Sequence, residues 1–141
     1  MNSVFLAILA AFSFGLWTVF HKIAAPNINR IFGALIVQIA AFIVVAILLT
    51  WLKFTNQPIQ ITQKGIIFVA LAGVAAAFID ILALAAYSKG LSVSVGGPLI
   101  IGGSVAVASA LGFLMGDSIT PIKIFAIALV IIGSSILARF S

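Results

Sequence analysis

The sequence predicts an all-α integral membrane protein with five transmembrane helices, and three observations carry that prediction. Hydrophobic residues make up 65% of the chain and charged residues 6%, with a mean hydropathy of +1.42, whereas soluble domains devote about a quarter of their residues to charge. The 141 residues hold five apolar runs of spanning length, since about 20 residues at ~1.5 Å each cross ~30 Å of hydrocarbon. Each run is bounded by Pro, Asn, Gly or charge, the residues that interrupt helices.

Taken in order, helix 1 is expected over residues 3–23 and stops at "APNINR", where Pro26 and two Asn residues break it. Its start, "MNSVFLAILAAFSFGLWTVFHK", has no basic segment ahead of the apolar run and outlasts a signal-peptide core, so it reads as a retained helix. Helix 2 is expected over 31–54, ahead of the longest polar loop, "TNQPIQITQK". Helix 3 covers 65–87 and ends in "SKG", a basic residue followed by a helix-stopping glycine. Helix 4 covers 92–115, "GDSITP" separates it from helix 5, and helix 5 covers 121–139. Residues 1–141 form a single transmembrane domain on this reading.

Charge and cysteine content narrow the functions available. There is no Cys, so disulfides and thiolate metal sites are excluded, and no metal or cofactor is expected. The net charge of +5 is distributed one residue at a time, which gives no nucleic-acid patch and leaves the charges as a topology signal. Five spans put the two ends of the chain on opposite sides; the N-terminal side is called A here and the other B. Lys53, Lys64 and Lys123 flank side A, while Lys22, Arg30, Lys89 and Arg139 flank side B. Orientation follows an excess of Lys and Arg in cytoplasmic loops, and three against four, or three against three with Lys22 inside helix 1, is no excess. Two readings stand: a weak signal in a small protein, or dual topology with copies inserted each way up.

The order of motifs is also familiar. "ALAAYSKGLSVSVGGPLIIGGSVAVASALGFLMGDSITPIKIFAIALVIIGSSILARF" resembles the C-terminal part of an EamA-type repeat of the drug/metabolite transporter superfamily. There a helix ends in a Tyr/Ser/Lys-Gly turn, the next runs to a Gly-acid pair, and a closing helix follows. "WTVFHK" in helix 1 is similar to the family's Trp, Gly and later Lys. Departures are Thr18 where Gly is common, Asp117 where Glu is usual, and "IGGSV" where relatives often carry an acidic or aromatic residue. The resemblance implies a five-helix EamA-like repeat. The usual transporter of the superfamily resembles two such repeats fused in opposite orientations, so one repeat looks like a half-transporter. Alternating access independently calls for two halves around a site near the midplane. An antiparallel homodimer supplies the second half and suits the balanced charges; a parallel partner chain is the other arrangement.

Polar residues collect at one depth. Asp80, one of two acids in the chain, lies fifteen residues past Gly65, about two thirds of the way to side B. Gln38 falls level with it, as do Trp17, Thr18, His21 and Lys22 of helix 1, and Ser94 opens helix 4 from the same side. A charge at the bilayer centre costs ~2.5–3.5 kcal/mol on insertion scales, so Asp80 is expected to face the bundle interior with a partner or water. Two roles are open for it. Asp80 exchanges a proton for a cationic group of a substrate, which low-dielectric surroundings assist by favouring the neutral acid; or it pairs with Lys22 or His21, or bonds Gln38, and ties helices together. His21 and Lys22 are either snorkelling interfacial residues or cavity groups, and Trp17 either joins Trp51 in an aromatic belt or lines a pocket. Tyr87 reads as interfacial.

In helix 4, Gly96, Gly97 and Pro98 form a bend beside the path, since proline removes a backbone bond. Gly102, Ala106 and Ala110 make one stripe of small residues, and Ser104, Ala108 and Gly112 a neighbouring one, at a spacing that lets helices approach closely. Gly133, Ser134 and Ser135 mark helix 5 as the candidate dimer helix, and Asp117 reads as a solvated helix-end residue.

Together these readings favour a half-unit that moves small metabolites or amphipathic drug-like molecules outward across the inner membrane, coupled to protons, as an antiparallel homodimer. The alternatives are a flippase for lipid-linked sugars and a non-transporting membrane subunit. One His, no Glu, no Cys and no pair of acids on one helix face argue against an enzyme. Reporters fused to the C-terminus are expected to give signal from both sides of the membrane; signal from one side alone would refute dual topology.

Overall fold

A computed structural model describes residues 2–139; Met1, Phe140 and Ser141, part of the expected domain, lie outside the described residues. Five α-helices follow one another: α1 (Ser3–Ala24), α2 (Arg30–Phe54), α3 (Gln63–Ser88), α4 (Val93–Leu114) and α5 (Pro121–Arg139), with a short 3-10 turn, Ala25–Asn27, after α1. All five are long and apolar enough to cross a membrane, and no strand occurs among the described residues. The expected ends hold to within two residues.

Local chemistry sets those ends. Asn2, Asn29 and Thr62 precede α1, α2 and α3, and the side chain of each accepts a hydrogen bond from a first-turn amide, satisfying a donor that has no helical partner. Pro26 sits inside the 3-10 turn, where its missing N–H is harmless. Past α3 and α4 the chain reverses through Gly90 and Gly116, at φ 100° and 98°, a conformation that glycine adopts without strain.

The order of packing is α2 on α3, α3 on α1, α1 on α4 and α4 on α5, with a lighter α3–α4 contact, whereas α1 and α2 are not packed against each other. The apolar core is Ala25, Ala83, Leu84 and Tyr87, with Trp17, Ile28, Leu91 and Ile100 around it. Every buried residue among those described lies in the side-B half: Thr18 and His21 late in α1, Ala25 in the 3-10 turn, Gly33 and Ala34 at the start of α2, Asp80, Ala83, Leu84 and Tyr87 late in α3, Val95, Gly96, Gly97 and Gly102 early in α4, and Ser134 late in α5. Side-A halves present Phe12, Val45, Trp51, Phe68 and Leu114 outward, as a hydrocarbon environment permits.

Helix 4 runs continuously through Pro98. Of the small-residue stripes, Gly102 is buried against Ser134 of α5 and Ala106 is half-buried, but Ala110 is exposed. Ser104 and Ala108 also face outward, and Gly112 meets Asp117 of the following loop, so the second stripe joins no helix within the chain. Ser134, expected at a dimer face, is taken up by α4; Gly133 and Ser135 beside it are exposed. A side chain at Gly102 collides with Ser134, so Gly102→Leu is expected to cost ~1–3 kcal/mol in unfolding measured in detergent. Gly103→Ala, one position on and facing open space, is expected to leave stability unchanged or raise it by up to ~1 kcal/mol.

Candidate functional site

Trp17 and His21, four residues apart, share one face of α1 and turn it towards Asp80 of α3. The Trp17 indole Nε1 donates to Asp80 Oδ1 at 3.0 Å, and the Gln38 amide of α2 donates to Oδ2 at 2.6 Å. His21 Nε2 lies 3.1 Å from Oδ1, a close electrostatic contact whose direction falls short of a hydrogen bond. Asp80 is 3% exposed and His21 4%. One carboxyl therefore gathers side chains from α1 and α2 onto α3.

An indole N–H can only donate, and an amide nitrogen likewise. Both bonds are therefore suited to the ionised carboxylate, and charge-assisted bonds of this kind are about twice as strong as neutral ones. The His21 ring is held on its other side by its Nδ1, 3.0 Å from the Trp17 carbonyl oxygen. It also lies against the Trp17 indole at 4.0 Å between centroids, and Phe14 stacks on Trp17 at 5.0 Å.

The other candidates go elsewhere. Lys22 does not pair with Asp80: its Nζ donates to the Tyr87 carbonyl at 3.4 Å, at the end of α3 where carbonyls lack helical partners and cations are favoured. Thr18 is buried but donates to the Phe14 carbonyl at 3.0 Å and touches Gly97 of α4. Ser94 is exposed and bonds Ser92. Gly96 lies directly under the Tyr87 ring, where a Cβ would meet the ring and hydroxyl. Tyr87 is thus buried at 2% exposure, not interfacial, with Gly96 and the core residue Leu84 around it. Trp51 is 61% exposed.

Beside the acid, α1 and α2 form the walls of a cleft of about 500 Å³ with Leu84 of α3 in its lining. Leu16, Phe20, Ile36, Val37 and Ala40 make it apolar, and Trp17 and His21 form the wall between it and Asp80. Sequence reasoning missed these apolar lining residues, because a side chain facing an internal cleft has the same chemistry as one facing lipid. The glycines of α4, by contrast, were a usable signal for a large buried partner such as Tyr87.

The result is an apolar cleft with one polar corner inside a five-helix membrane domain. The family model of the EamA-like transporter family matches residues 1–139. The chain belongs to this family. No curated protein and no solved structure matches it. As an EamA-like protein it is a multi-pass membrane protein of a transporter family.

Among the described residues no three metal-ligating side chains come together around the acid or anywhere else. The acid has an indole, an amide and an imidazole around it, and its response to charge is simple to test. Gln38→Glu sets a second carboxyl against Asp80 Oδ2. The variant is expected to unfold more readily than wild type at pH 8, with the deficit shrinking at pH 5 as one of the two takes up a proton; an equal deficit at both values would show that the contact is not made.

Proposed function

We propose that this EamA-like chain is one half of a proton-coupled transporter that exports small metabolites or amphipathic drug-like molecules across the cell's inner membrane. The observation that carries this reading is Asp80: a buried carboxyl, engaged by three side chains from two other helices, behind one wall of an apolar cleft. Intramembrane acids are expensive and mark ion or substrate pathways. Here the substrate's apolar body takes the cleft and its cationic group competes with a proton for Asp80. Trp17, His21 and Gln38 hold the acid in position between the two.

Two halves are needed for access from both sides, and one five-helix repeat offers one. A second copy in the opposite orientation completes the carrier on this reading and brings a second Asp80 facing the other way. The near-even distribution of Lys and Arg supports it. The free side of α5, where Gly133 and Ser135 are exposed, offers a surface for that copy.

A second reading is favoured by the cleft itself. Its walls, α1 and α2, are not packed together and its lining is apolar, features that suit a chain entering from the bilayer, as a flippase for lipid-linked sugars requires.

The test is transport by purified protein in liposomes under an imposed pH gradient, against a panel of amines, amino acids and sugars. Wild type is expected to accumulate at least one substrate class with counterflow of protons, and Asp80→Asn to lose that coupling. Proton-dependent transport that survives Asp80→Asn would sink the role given to the acid. Movement of a lipid-linked sugar alone would favour the flippase, and no transport of any kind would favour a non-transporting subunit.

A further inference from the structure

We infer that His21 and Asp80 bind one proton between them and release it as a unit, so that the imidazole is the proton carrier and the carboxylate its fixed counter-charge. The inference starts from the hydrogen bond on the far side of the ring. His21 Nδ1 is 3.0 Å from the Trp17 carbonyl oxygen, and a carbonyl can only accept, so Nδ1 carries a hydrogen in every charge state of the ring. Only Nε2 is left to gain or lose a proton. That atom faces Asp80 Oδ1 at 3.1 Å, with both residues almost wholly buried.

Counting protons then leaves one stable arrangement. With none on Nε2 or the carboxyl, the ring's lone pair faces a buried carboxylate oxygen, and burial makes an uncompensated charge costly. With two, an imidazolium faces a carboxylic acid, and the acid's hydrogen must go on Oδ1, which already accepts from Trp17, or on Oδ2, which already accepts from Gln38. With one, Nε2–H stands 3.1 Å from the carboxylate as an ion-pair contact short of a hydrogen bond, while Trp17 and Gln38 keep their acceptors. Both carboxylate oxygens are already taken as acceptors by Trp17 and Gln38, which leaves the proton to Nε2.

Among the described residues no other ionisable group competes for this site, Lys64 standing exposed at the far end of α3. On α1, Lys22 is turned to the Tyr87 carbonyl. On α2, Arg30 and Lys53 stand at the two ends and are exposed. The 3-10 turn and α4 carry no ionisable side chain, and on α3 the buried Tyr87 directs its hydroxyl towards Gly96.

For transport, the consequence rests on the exchange reading above. Loss of the shared proton leaves Asp80 charged behind a neutral ring, and that ring is part of the cleft wall. A cationic group entering the cleft then replaces the proton charge for charge: one proton leaves per monovalent cation per copy, and a neutral substrate displaces none.

The chain has a single His and two acids, Asp80 and Asp117, which makes the proton directly visible. Full-length protein labelled with nitrogen-15 at His and carbon-13 at the Asp carboxyls is reconstituted in lipid nanodiscs and titrated by NMR, with Asp117→Asn assigning the two carboxyl signals. Expected are an Nδ1 that stays protonated throughout, and an Nε2 signal and an Asp80 carboxyl signal that move together, at midpoints within ~0.3 pH unit, as interacting groups sharing one proton do. Midpoints a full unit or more apart, or loss of the proton from Nδ1, would overturn the inference. His21→Gln, which keeps a donor near Asp80, should abolish the shared step; an Asp80 carboxyl titrating as before in that variant would also overturn it. A shared titration in protein that transports nothing would leave the proton pair standing and remove the transport role, and proton-coupled transport with independent titrations would do the reverse.

Discussion

A carboxylate inside a bilayer must be solvated by protein, and the arrangement of this chain depends on how Asp80 is solvated. Bulk water would surround such a group with several donors; here an indole and an amide from two other helices donate to it, with an imidazole in close electrostatic contact. Interhelical hydrogen bonds in membranes contribute modestly, on the order of 0.6 kcal/mol each, so the cluster does not account for the stability of the bundle. What it does is fix relative rotation. Removing either donor leaves a buried acceptor unpaired, a penalty larger than the bond itself, and α1, α2 and α3 are confined to orientations that keep both. Because α1 and α2 are not packed together, their shared attachment to one side chain also sets the width of the cleft between them.

Close packing of small residues does the remaining work on the other flank. Gly96 lets α4 reach the face of Tyr87, and Gly102 lets α5 reach α4 through Ser134. Such contacts rest on dispersion and short backbone separations, since lipid provides no hydrophobic drive between helices. The bundle thus has a polar seam on one side of α1 and a steric seam on the other, and Trp17 and Thr18, adjacent in sequence, point into one each.

Much of this was legible in the sequence, and what was not has a common cause. Helix ends were readable because Asn29, Thr62, Gly90 and Gly116 act locally, within a turn of the residue concerned. Depth was readable too, because residue counts convert to distance, and Asp80, Gln38, Trp17 and His21 do share a level. Azimuth was not. Lys22 stands next to His21, but neighbours on a helix point about 100° apart, so only one of them can reach Asp80, and the other finds the end of α3. Ser94 has the right depth and the wrong face. The stripe of Ser104, Ala108 and Gly112 shows the same limit: a spacing of four identifies residues that face together without saying what they face. Tyr87 was placed by its position near a helix end, and the glycine beneath its ring, on another helix, decided otherwise.

The confinement of buried residues to the side-B half has a mechanical meaning. At the level of Asp80 three helices are tied together, and beyond it the side-A halves carry no buried residue among those described. From Asp80 back to the start of α3 is about 17 residues, an arm of ~25 Å at 1.5 Å each. A tilt of ~10° about that level would swing its tip through ~4 Å, so by geometry alone a small change of angle around one carboxyl is magnified at the far end of the helix.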